Sequence, residues 1–292
     1  MSLPLEPPGP LVSVEWLAER LGSAGLLVLD ASVGGHRREL PAIPGARLFD
    51  LDGPMSDRSS PLPHTMPGAE ELARELRALG LNASSTVVVH DNAGIYSSAR
   101  AWWMLRAVGF DRVAVLDGGL PAWSAAGLPE QTQQTEPQPP ALPGTFTADP
   151  RPGMFVDSRA VLAALTDPSA AVLDARAHER YTGEAPEPRP GLRGGHMPGA
   201  RNLPFTTLQD ATGRLLPPDE LRSRFGAVPS RLLFSCGSGV TACVLALGAT
   251  VAGLGRASEL TVYDGSWSEW GLPSDLPVVT GEDDDASSSS GS

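Results

Sequence analysis

The stretch Leu232-Leu-Phe-Ser-Cys-Gly-Ser-Gly-Val-Thr-Ala-Cys243 passes from an apolar run to a cysteine, a glycine-rich turn and the start of a helical segment. An apolar run without alternating polar residues is typical of a strand that is buried on both faces. Such strands belong to parallel sheets, which bind ligands beyond the carboxyl ends of their strands. The stretch therefore predicts an α/β fold with Cys236 at the ligand-binding edge of a sheet.

Cys236 is expected to lie among backbone N–H groups at the N-terminus of the following helix. Unpaired N–H groups at such a position carry partial positive charge and stabilise an anion, including a thiolate. The common alternative is a buried and inert cysteine, but this alternative gives no reason for Gly237 and Gly239 to follow. The turn therefore predicts nucleophilic sulfur chemistry at Cys236.

The two halves of the chain repeat one another. Four segments of the first half recur in the same order in the second, namely residues 26–31 as 171–176, 43–47 as 197–201, 86–91 as 232–236, and 116–123 as 263–270. Collinear repeats of this kind indicate a duplicated domain. The position equivalent to Cys236 in the first half is Asp91, so the repeat predicts one catalytic and one inactive copy, with a pocket in the cleft between them.

Short apolar runs alternate with segments of helical period in both halves. The runs predicted as buried strands are residues 26–29, 87–89, 113–116 and 232–234, and the predicted helices are residues 14–21 with Ser13 as N-cap, 69–79, 159–165 and 218–225. This alternation predicts mostly parallel sheets that are flanked by helices on both faces.

The repeat also sets the predicted boundaries, which are a first domain at residues 1–130, a linker at 131–152, a second domain at 153–280 and a tail at 281–292. Residues 129–152 contain seven prolines and four glutamines without an apolar period, so the linker is expected to run extended over the surface. The acidic and serine-rich tail is expected to be disordered.

Composition excludes several function classes. All 22 basic residues are arginine and the net charge is −12, so the chain is a poor partner for nucleic acid and has no lysine for Schiff-base chemistry. Cys236 and Cys243 are the only cysteines, too few for a disulfide framework or a structural zinc site. No apolar run approaches the roughly 18 residues of a membrane span and no secretion signal is evident, so a cytoplasmic protein with no membrane association is expected.

The chain resembles the tandem rhodanese family over residues 12–277. The matching features are Gly195-His-Met-Pro-Gly-Ala-Arg201, the Cys236 turn and Tyr263-Asp-Gly-Ser-Trp-Ser-Glu-Trp-Gly271. The resemblance implies two rhodanese-like domains, the first catalytically inactive and the second active. It also implies chemistry that needs neither a metal nor an organic cofactor.

The turn Cys-Gly-Ser-Gly-Val-Thr at 236–241 is similar to that of family members that act on 3-mercaptopyruvate. Members specific for thiosulfate usually carry Arg and Lys where this chain has Gly237 and Ser238, because thiosulfate is a compact dianion that gains from cations in the turn. The resemblance implies a sulfurtransferase that releases pyruvate and passes sulfur through a persulfide on Cys236 to a thiol such as thioredoxin or a small thiol, or to cyanide. Thiosulfate:cyanide transfer is the nearest alternative.

The resemblance also assigns the substrate-binding residues. Arg180 and Arg189 would hold the carboxylate and keto oxygen of the donor, and the remaining members of this group are the turn residues Gly237, Gly239, Val240 and Thr241. On composition alone the two arginines are surface residues that balance nearby glutamates. Arg176 is expected to make a structural ion pair.

Removal of sulfur from 3-mercaptopyruvate leaves an enolate that must be protonated. The resemblance places Asp52, His64 and Ser238 together for this purpose, so that the group spans both domains. The alternatives are a turn-forming or helix-capping Asp52 and a His64 exposed on a loop.

Three alternatives concern the cysteines. A cysteine phosphatase or arsenate reductase requires Arg at the sixth position after the nucleophile, which is Ala242 here. A persulfide carrier or regulatory binding module would hold sulfur on Cys236 with negligible turnover. Cys243 is expected to be a buried structural thiol, and the alternative is a redox partner of Cys236.

Overall fold

The computed structural model describes residues 5–37, 41–131, 143–256 and 258–282. It contains two five-stranded sheets, one in each half of the chain, and every strand pairing in both sheets is parallel. The predicted α/β fold with two tandem domains is therefore confirmed.

The first sheet has the order β1-β5-β4-β2-β3, and four α-helices accompany it within the described residues. Its strands are β1 (Leu11–Val12), β2 (Leu26–Asp30), β3 (Arg47–Leu48), β4 (Thr86–His90) and β5 (Val113–Leu116). Its helices are α1 (Val14–Ala18), α2 (Ala69–Ala78), α3 (Ser98–Ala107) and α4 (Gly119–Ala125).

The second sheet has the equivalent order β6-β10-β9-β7-β8, and five α-helices accompany it in the part of this half that the structure describes. Its strands are β6 (Phe155–Val156), β7 (Ala170–Asp174), β8 (Arg201–Asn202), β9 (Arg231–Ser235) and β10 (Leu260–Tyr263). Its helices are α5 (Ser158–Ala164), α6 (His178–Thr182), α7 (Pro218–Phe225), α8 (Ala242–Val251) and α9 (Ser266–Trp270).

Sheet register supports the alignment of the two halves. Asp30 pairs with His90 in the first sheet, and Asp174 pairs with Ser235 in the second. Asp91 and Cys236 each follow the last residue of the equivalent central strand. The two residues therefore occupy the same place in the two copies.

The predicted helices form close to their expected ends because their start signals act locally. Ser13 Oγ accepts the N–H of Trp16 at 3.2 Å and so caps α1, as the sequence indicates. The helix predicted at residues 218–225 has these bounds, whereas α1 ends three residues before the predicted position 21. Every residue of β4 and β5 is buried, as expected of strands that are covered on both faces.

Helices α3 and α8 pack against each other across the domain interface. Nine of the ten residues of α3 are buried, and one apolar cluster runs continuously through both domains. Because this contact is a packed core rather than a thin linker contact, the two sheets are held in a fixed relation. The cleft between their carboxyl edges is therefore a defined site.

The end of the linker does not lie wholly on the surface. Phe146 is buried and packs edge-on against Phe110, and its N–H donates to Leu81 O at 3.1 Å. The apolar area of Phe146 explains this difference from the expected surface path. Residues 132–142 of the predicted linker and residues 283–292 of the predicted tail lie outside the described residues.

Within the described ranges, no helix has the length and apolar character needed to cross a membrane.

Candidate active site

Cys236 follows β9 directly and is buried at the start of a turn that leads into α8. Its backbone is fixed on both sides by α9, since its N–H donates to Ser266 Oγ at 3.1 Å and its carbonyl accepts the N–H of Trp267 at 2.9 Å. The cysteine therefore lies at the carboxyl end of a central strand, as the sequence predicts.

A cavity of about 490 Å³ opens over Cys236 between the two domains. This volume is in the range of small-molecule sites. The cavity is lined by nine of the ten predicted site residues, namely Asp52, His64, Arg180, Arg189, Cys236, Gly237, Ser238, Val240 and Thr241. The first domain also contributes Tyr96 and the segment 33–36, which no sequence motif marked.

The three residues expected to handle a proton lie together although they come from two domains. Ser238 Oγ is 3.1 Å from His64 Nδ1, and Asp52 Oδ1 is 3.1 Å from His64 Nε2. The other oxygen of Asp52 accepts the N–H of Gly34 at 2.8 Å. Only 13% of the His64 side chain is exposed. An exposed loop histidine and a turn-forming aspartate do not account for this chain of hydrogen bonds.

The pKa shifts of Asp52 and His64 indicate which atoms of the hydrogen-bonded group Asp52–His64–Ser238 carry protons. Burial acts to raise the pKa of Asp52, but the hydrogen bonds from Gly34 and His64 outweigh it and hold this pKa below its ordinary value. Burial lowers the pKa of His64, and Asp52 offsets the effect only in part. A neutral His64 therefore donates from Nε2 to the Asp52 carboxylate, which leaves Nδ1 to accept the hydroxyl proton of Ser238.

Arg180 is held over the cysteine turn by a buried carboxylate. Its Nη2 and Nε donate to the two oxygens of Glu187 at 2.6 and 3.2 Å, and the Glu187 side chain is 2% exposed. A methyl group placed on Gly237 would come within 3.1 Å of Arg180 Nη2. Arg180 thus pairs with a glutamate, as composition alone indicates, and still lies against the cavity.

Arg176 takes the structural role expected of it. Its buried guanidinium donates to both oxygens of Asp174, to Glu187 at 2.9 Å and to Gly195 O at 2.8 Å. It also stacks over the ring of Trp267 at 3.9 Å. Because Glu187 bonds both Arg176 and Arg180, this network fixes the direction of Arg180.

Gly239 is the one predicted site residue that does not line the cavity. Its φ of +73° favours glycine, and a Cβ there would lie 2.8 Å from Asp264 O and 2.9 Å from Arg100 Nη1. Its contribution is to let the turn bend next to these two residues.

Arg100 is a functional candidate that no motif identified, and its partner Asp264 lies in the motif at residues 263–271, to which the sequence assigned no site role. Arg100 lies on α3 and bonds Asp264 at 2.7 Å directly behind the cysteine turn. The available signal was a charged residue on the same helix face as Trp103, Met104 and Ala107. That pattern predicts a buried arginine but does not identify its partner.

The equivalent turn of the first domain carries a carboxylate in place of the thiol. Asp91 Oδ2 accepts three N–H groups of the turn at 2.8 to 2.9 Å, from Tyr96, Ser97 and Ser98. Asp91 Oδ1 accepts the N–H of Ala93 at 2.9 Å. The N–H groups of this turn are therefore occupied by the carboxylate of Asp91.

Cys243 lies in the first turn of α8 and is buried. Its Sγ donates to Gly239 O at 3.3 Å. Burial raises the pKa of Cys243 to about 12, so its thiol remains protonated at neutral pH. These features agree with the expected structural role.

In the part of the chain that the structure describes, no three His, Cys, Asp or Glu side chains cluster as metal ligands would.

The fold and the site define a tandem α/β protein with a cysteine turn between its domains. The chain matches the Rhodanese-like domain family twice, at residues 13–126 and 158–272. It therefore belongs to that family and carries two copies of the domain in tandem.

Individual relatives match nearly the whole chain. It is 40% identical over 278 residues to human 3-mercaptopyruvate sulfurtransferase, covering 89% of this chain and 91% of that protein. It is 38% identical to thiosulfate/3-mercaptopyruvate sulfurtransferase 1 of Arabidopsis thaliana, covering 94% and 79%. The crystal structure of SseA from Escherichia coli, a 3-mercaptopyruvate sulfotransferase, matches with a TM-score of 0.76 at 35% identity and covers 89% of this chain and 100% of that chain.

Proposed function

We propose that this protein transfers sulfur from 3-mercaptopyruvate to a thiol acceptor by way of a persulfide on Cys236. The observation that carries the proposal is the hydrogen-bonded chain Asp52–His64–Ser238, which meets Cys236 in one cavity. The names of the human and Arabidopsis relatives support the same donor.

Donor binding is assigned to the two arginines of the cavity. Arg180 is oriented by Glu187 and offers charge-assisted hydrogen bonds to a carboxylate, and Arg189 lines the same wall. A keto acid bound there would point its C–S bond toward the cysteine turn. Gly237 and Ser238 leave the turn itself without a cation, which suits a donor whose charge is remote from its sulfur.

In the first step the Cys236 thiolate attacks the sulfur of the donor. An S–S bond forms, the C–S bond breaks, and the electron pair of the C–S bond passes to carbon as the enolate of pyruvate. The proton of the donor thiol is taken up by Ser238 and His64 and delivered to the enolate carbon. Cys236 is left as a persulfide, and pyruvate departs.

In the second step an acceptor thiolate attacks the outer sulfur of the persulfide. The Cys236–sulfur bond breaks, the acceptor becomes a persulfide, and the Cys236 thiolate is restored. N–H groups of the turn stabilise the negative charge on sulfur throughout, as the matching turn of the first domain does for Asp91. A reducing compartment such as the cytoplasm keeps both cysteines free for this cycle, and we propose that location.

A second candidate donor is thiosulfate. The Arabidopsis relative is named for both donors, and Arg180 lies close enough to Gly237 to meet a compact anion above the turn. Phosphate chemistry is disfavoured because a phosphate-binding turn requires an arginine at the sixth position after its cysteine. That position is the buried Ala242 in this chain.

Steady-state kinetics with both donors tests the proposal. The expected kcat/KM for sulfur transfer from 3-mercaptopyruvate is at least about tenfold above the value for thiosulfate. Pyruvate release should be lost in Cys236→Ser and retained in Cys243→Ser. Equal values for the two donors would favour a dual-specificity enzyme. Negligible turnover with either donor would favour a persulfide carrier.

A further inference from the structure

Arg100 of the first domain extends its guanidinium into the second domain, behind the cysteine turn. The side chain is fully buried, stacks over the ring of Phe155 at 4.4 Å and pairs with Asp264 at 2.7 Å. Burial acts to lower the pKa of Arg100, but the negative charge and the hydrogen bond of Asp264 hold that pKa above its ordinary value. Arg100 is therefore a fixed positive charge at the domain interface.

The guanidinium bonds the two parts of the site that must meet during the reaction. Its Nη2 donates to His64 O at 2.6 Å, and its Nη1 donates to Gly239 O at 3.2 Å within the cysteine turn. Asp264 extends the same contact, since its second oxygen accepts the N–H of Met66 at 2.8 Å. One ion pair thus binds the backbone that carries His64 and the backbone that carries Cys236.

The backbone at His64 needs such support. His64 has a φ of +59°, in the left-handed region that residues with a side chain seldom adopt. Such a conformation persists only where surrounding contacts determine it. The bond from Arg100 to the carbonyl of His64 is one of these contacts, so it helps to set the direction of the imidazole toward Ser238.

The first domain provides an internal control for the role of this arginine. Asp117 follows β5 as Asp264 follows β10, and it accepts the N–H of Leu215 at 3.0 Å from the other domain. The third residue of α3 is Arg100, whereas the third residue of α8 is Val244. The aspartate contact therefore occurs in both halves, but the helix arginine occurs on α3 and is replaced by Val244 on α8, so it reaches from the first domain to the cysteine turn of the second.

We propose that Arg100 and Asp264, here called the interdomain clamp, are positioning residues that set the register between His64 and the cysteine turn. This inference rests on the proposed sulfur transfer for its kinetic consequence. In the first domain the equivalent aspartate, Asp117, lies near Arg214 of the covering segment, and no helix arginine stands in the position of Arg100 because α8 has Val244 there. The clamp thus acts at the turn that carries Cys236, where a proton relay must be aligned with a nucleophile.

Two matched pairs of variants test the clamp. Arg100→Lys keeps the charge but cannot make all three bonds in the same geometry, and its control is Arg106→Lys on the outer face of the same helix. Asp264→Asn has the same shape without the charge, and its control is the equivalent Asp117→Asn. The measurements are kcat and KM for 3-mercaptopyruvate, the thermal midpoint, and amide hydrogen exchange of the segments 60–68 and 236–244.

The expected result is a fall in kcat of about tenfold to a hundredfold in Arg100→Lys and Asp264→Asn, with KM changed by less than about threefold. Hydrogen exchange should accelerate in both segments together, while the controls keep wild-type kcat and exchange. Unchanged kcat in the clamp variants, equal losses in the controls, or faster exchange in one segment alone would overturn the inference.

The experiment distinguishes failure of the clamp proposal from two other cases, a variant that does not fold and a wild type that does not use 3-mercaptopyruvate. If Arg100→Lys does not fold, comparison of Asp264→Asn with Asp117→Asn tests the clamp without it. If the wild type releases no pyruvate, the proposed donor is wrong, and joint acceleration of exchange in the two segments still decides whether the clamp couples them.

Discussion

The turn after β4 and the turn after β9 occupy equivalent places in the two domains but hold different groups. In the first turn the carboxylate of Asp91 accepts four backbone N–H groups of its own loop. In the second, the thiol of Cys236 starts the loop and faces a cavity of about 490 Å³. The turn of the first domain is thus closed by an internal anion, whereas the turn of the second faces a cavity that is available to a substrate.

Each domain also covers the turn of the other. The segment between β3 and α2 brings Asp52 and His64 to the second-domain site. The equivalent segment between β8 and α7 reaches the first-domain turn, where Gln209 bonds Ile95 O and a Cβ on Gly94 would lie 3.1 Å from Gly213 O. One covering segment closes the turn that it reaches, and the other brings the hydrogen-bonded pair Asp52 and His64 to the turn of Cys236. The two domains therefore differ in what they receive from each other as much as in the nucleophile.

Serine at each of the two equivalent positions gives the largest contrast. Cys236→Ser should lower pyruvate release at least about 10³-fold, because a serine hydroxyl cannot hold the transferred sulfur. Asp91→Ser should keep wild-type kcat per folded molecule but lower the free energy of unfolding by about 1–3 kcal/mol, since it leaves buried N–H groups without their acceptor. Activity assays and denaturant unfolding measure the two effects, and loss of kcat in Asp91→Ser would contradict the division of roles.

Removal of the relay that the first domain supplies is expected to have the next largest effect. His64→Asn should lower kcat for 3-mercaptopyruvate by about 10²- to 10⁴-fold, because the enolate then lacks its proton donor. The persulfide should still form in a single turnover, only more slowly. Wild-type kcat in this variant would show that the covering segment has no chemical role.

The same relay predicts the acid limb of the pH profile. In the proposed mechanism neutral His64 is the active form, so kcat/KM should fall as the pH drops through its pKa, which burial places below the ordinary value of 6.5. Asp52 raises the pKa of His64, so Asp52→Asn should move the limb to lower pH as well as reduce kcat. If the acid limb of the kcat/KM profile is unchanged in His64→Asn, a group other than His64 is responsible for it.

Arg180→Gln should have a smaller effect, which is confined to binding. Loss of a charge-assisted pair of hydrogen bonds, worth roughly 1.5–3 kcal/mol, should raise KM for 3-mercaptopyruvate by about tenfold to a hundredfold with little change in kcat. The matched control is Arg74→Gln, an exposed arginine on α2 that pairs with Glu75. Equal KM values in the two variants would show that Arg180 does not bind the donor.

Cys243→Ser should change least. Because burial raises the pKa of Cys243 to about 12, its thiol is protonated at neutral pH and is a poor nucleophile toward an oxidised Cys236. After peroxide treatment, the variant and the wild type should recover activity with reductant at the same rate. Slower recovery in the variant would establish a redox partnership between the two cysteines.

The fold could be predicted from the sequence where the signal was local. Strands such as β4 and β9 are uninterrupted apolar runs, and Ser13 marks the start of α1 next to the residues it caps. The strands β1, β3, β6 and β8 have two residues each and are too short to carry a pattern. Their places follow only from pairing with longer neighbours.

The site residues likewise fall into those with a local sequence signal and those without one. Cys236 and its turn are contiguous, so their position at the carboxyl end of a strand could be predicted from neighbouring residues. The contact between His64 and Ser238 joins positions 174 residues apart in two domains, and only the family resemblance brought them together. Arg100 carried no signal of its partner, because the sequence does not state which domain surface α3 faces.

Mass spectrometry of the protein after reaction with 3-mercaptopyruvate without acceptor tests the central claim most directly. Trypsin cuts after Arg231 and Arg256, so both cysteines fall on one peptide and fragment ions between them locate any added sulfur. The account predicts one extra sulfur atom per chain on Cys236, removed by an added thiol and absent in Cys236→Ser. Sulfur on Cys243 instead, or pyruvate release at the wild-type rate by Cys236→Ser, would contradict it.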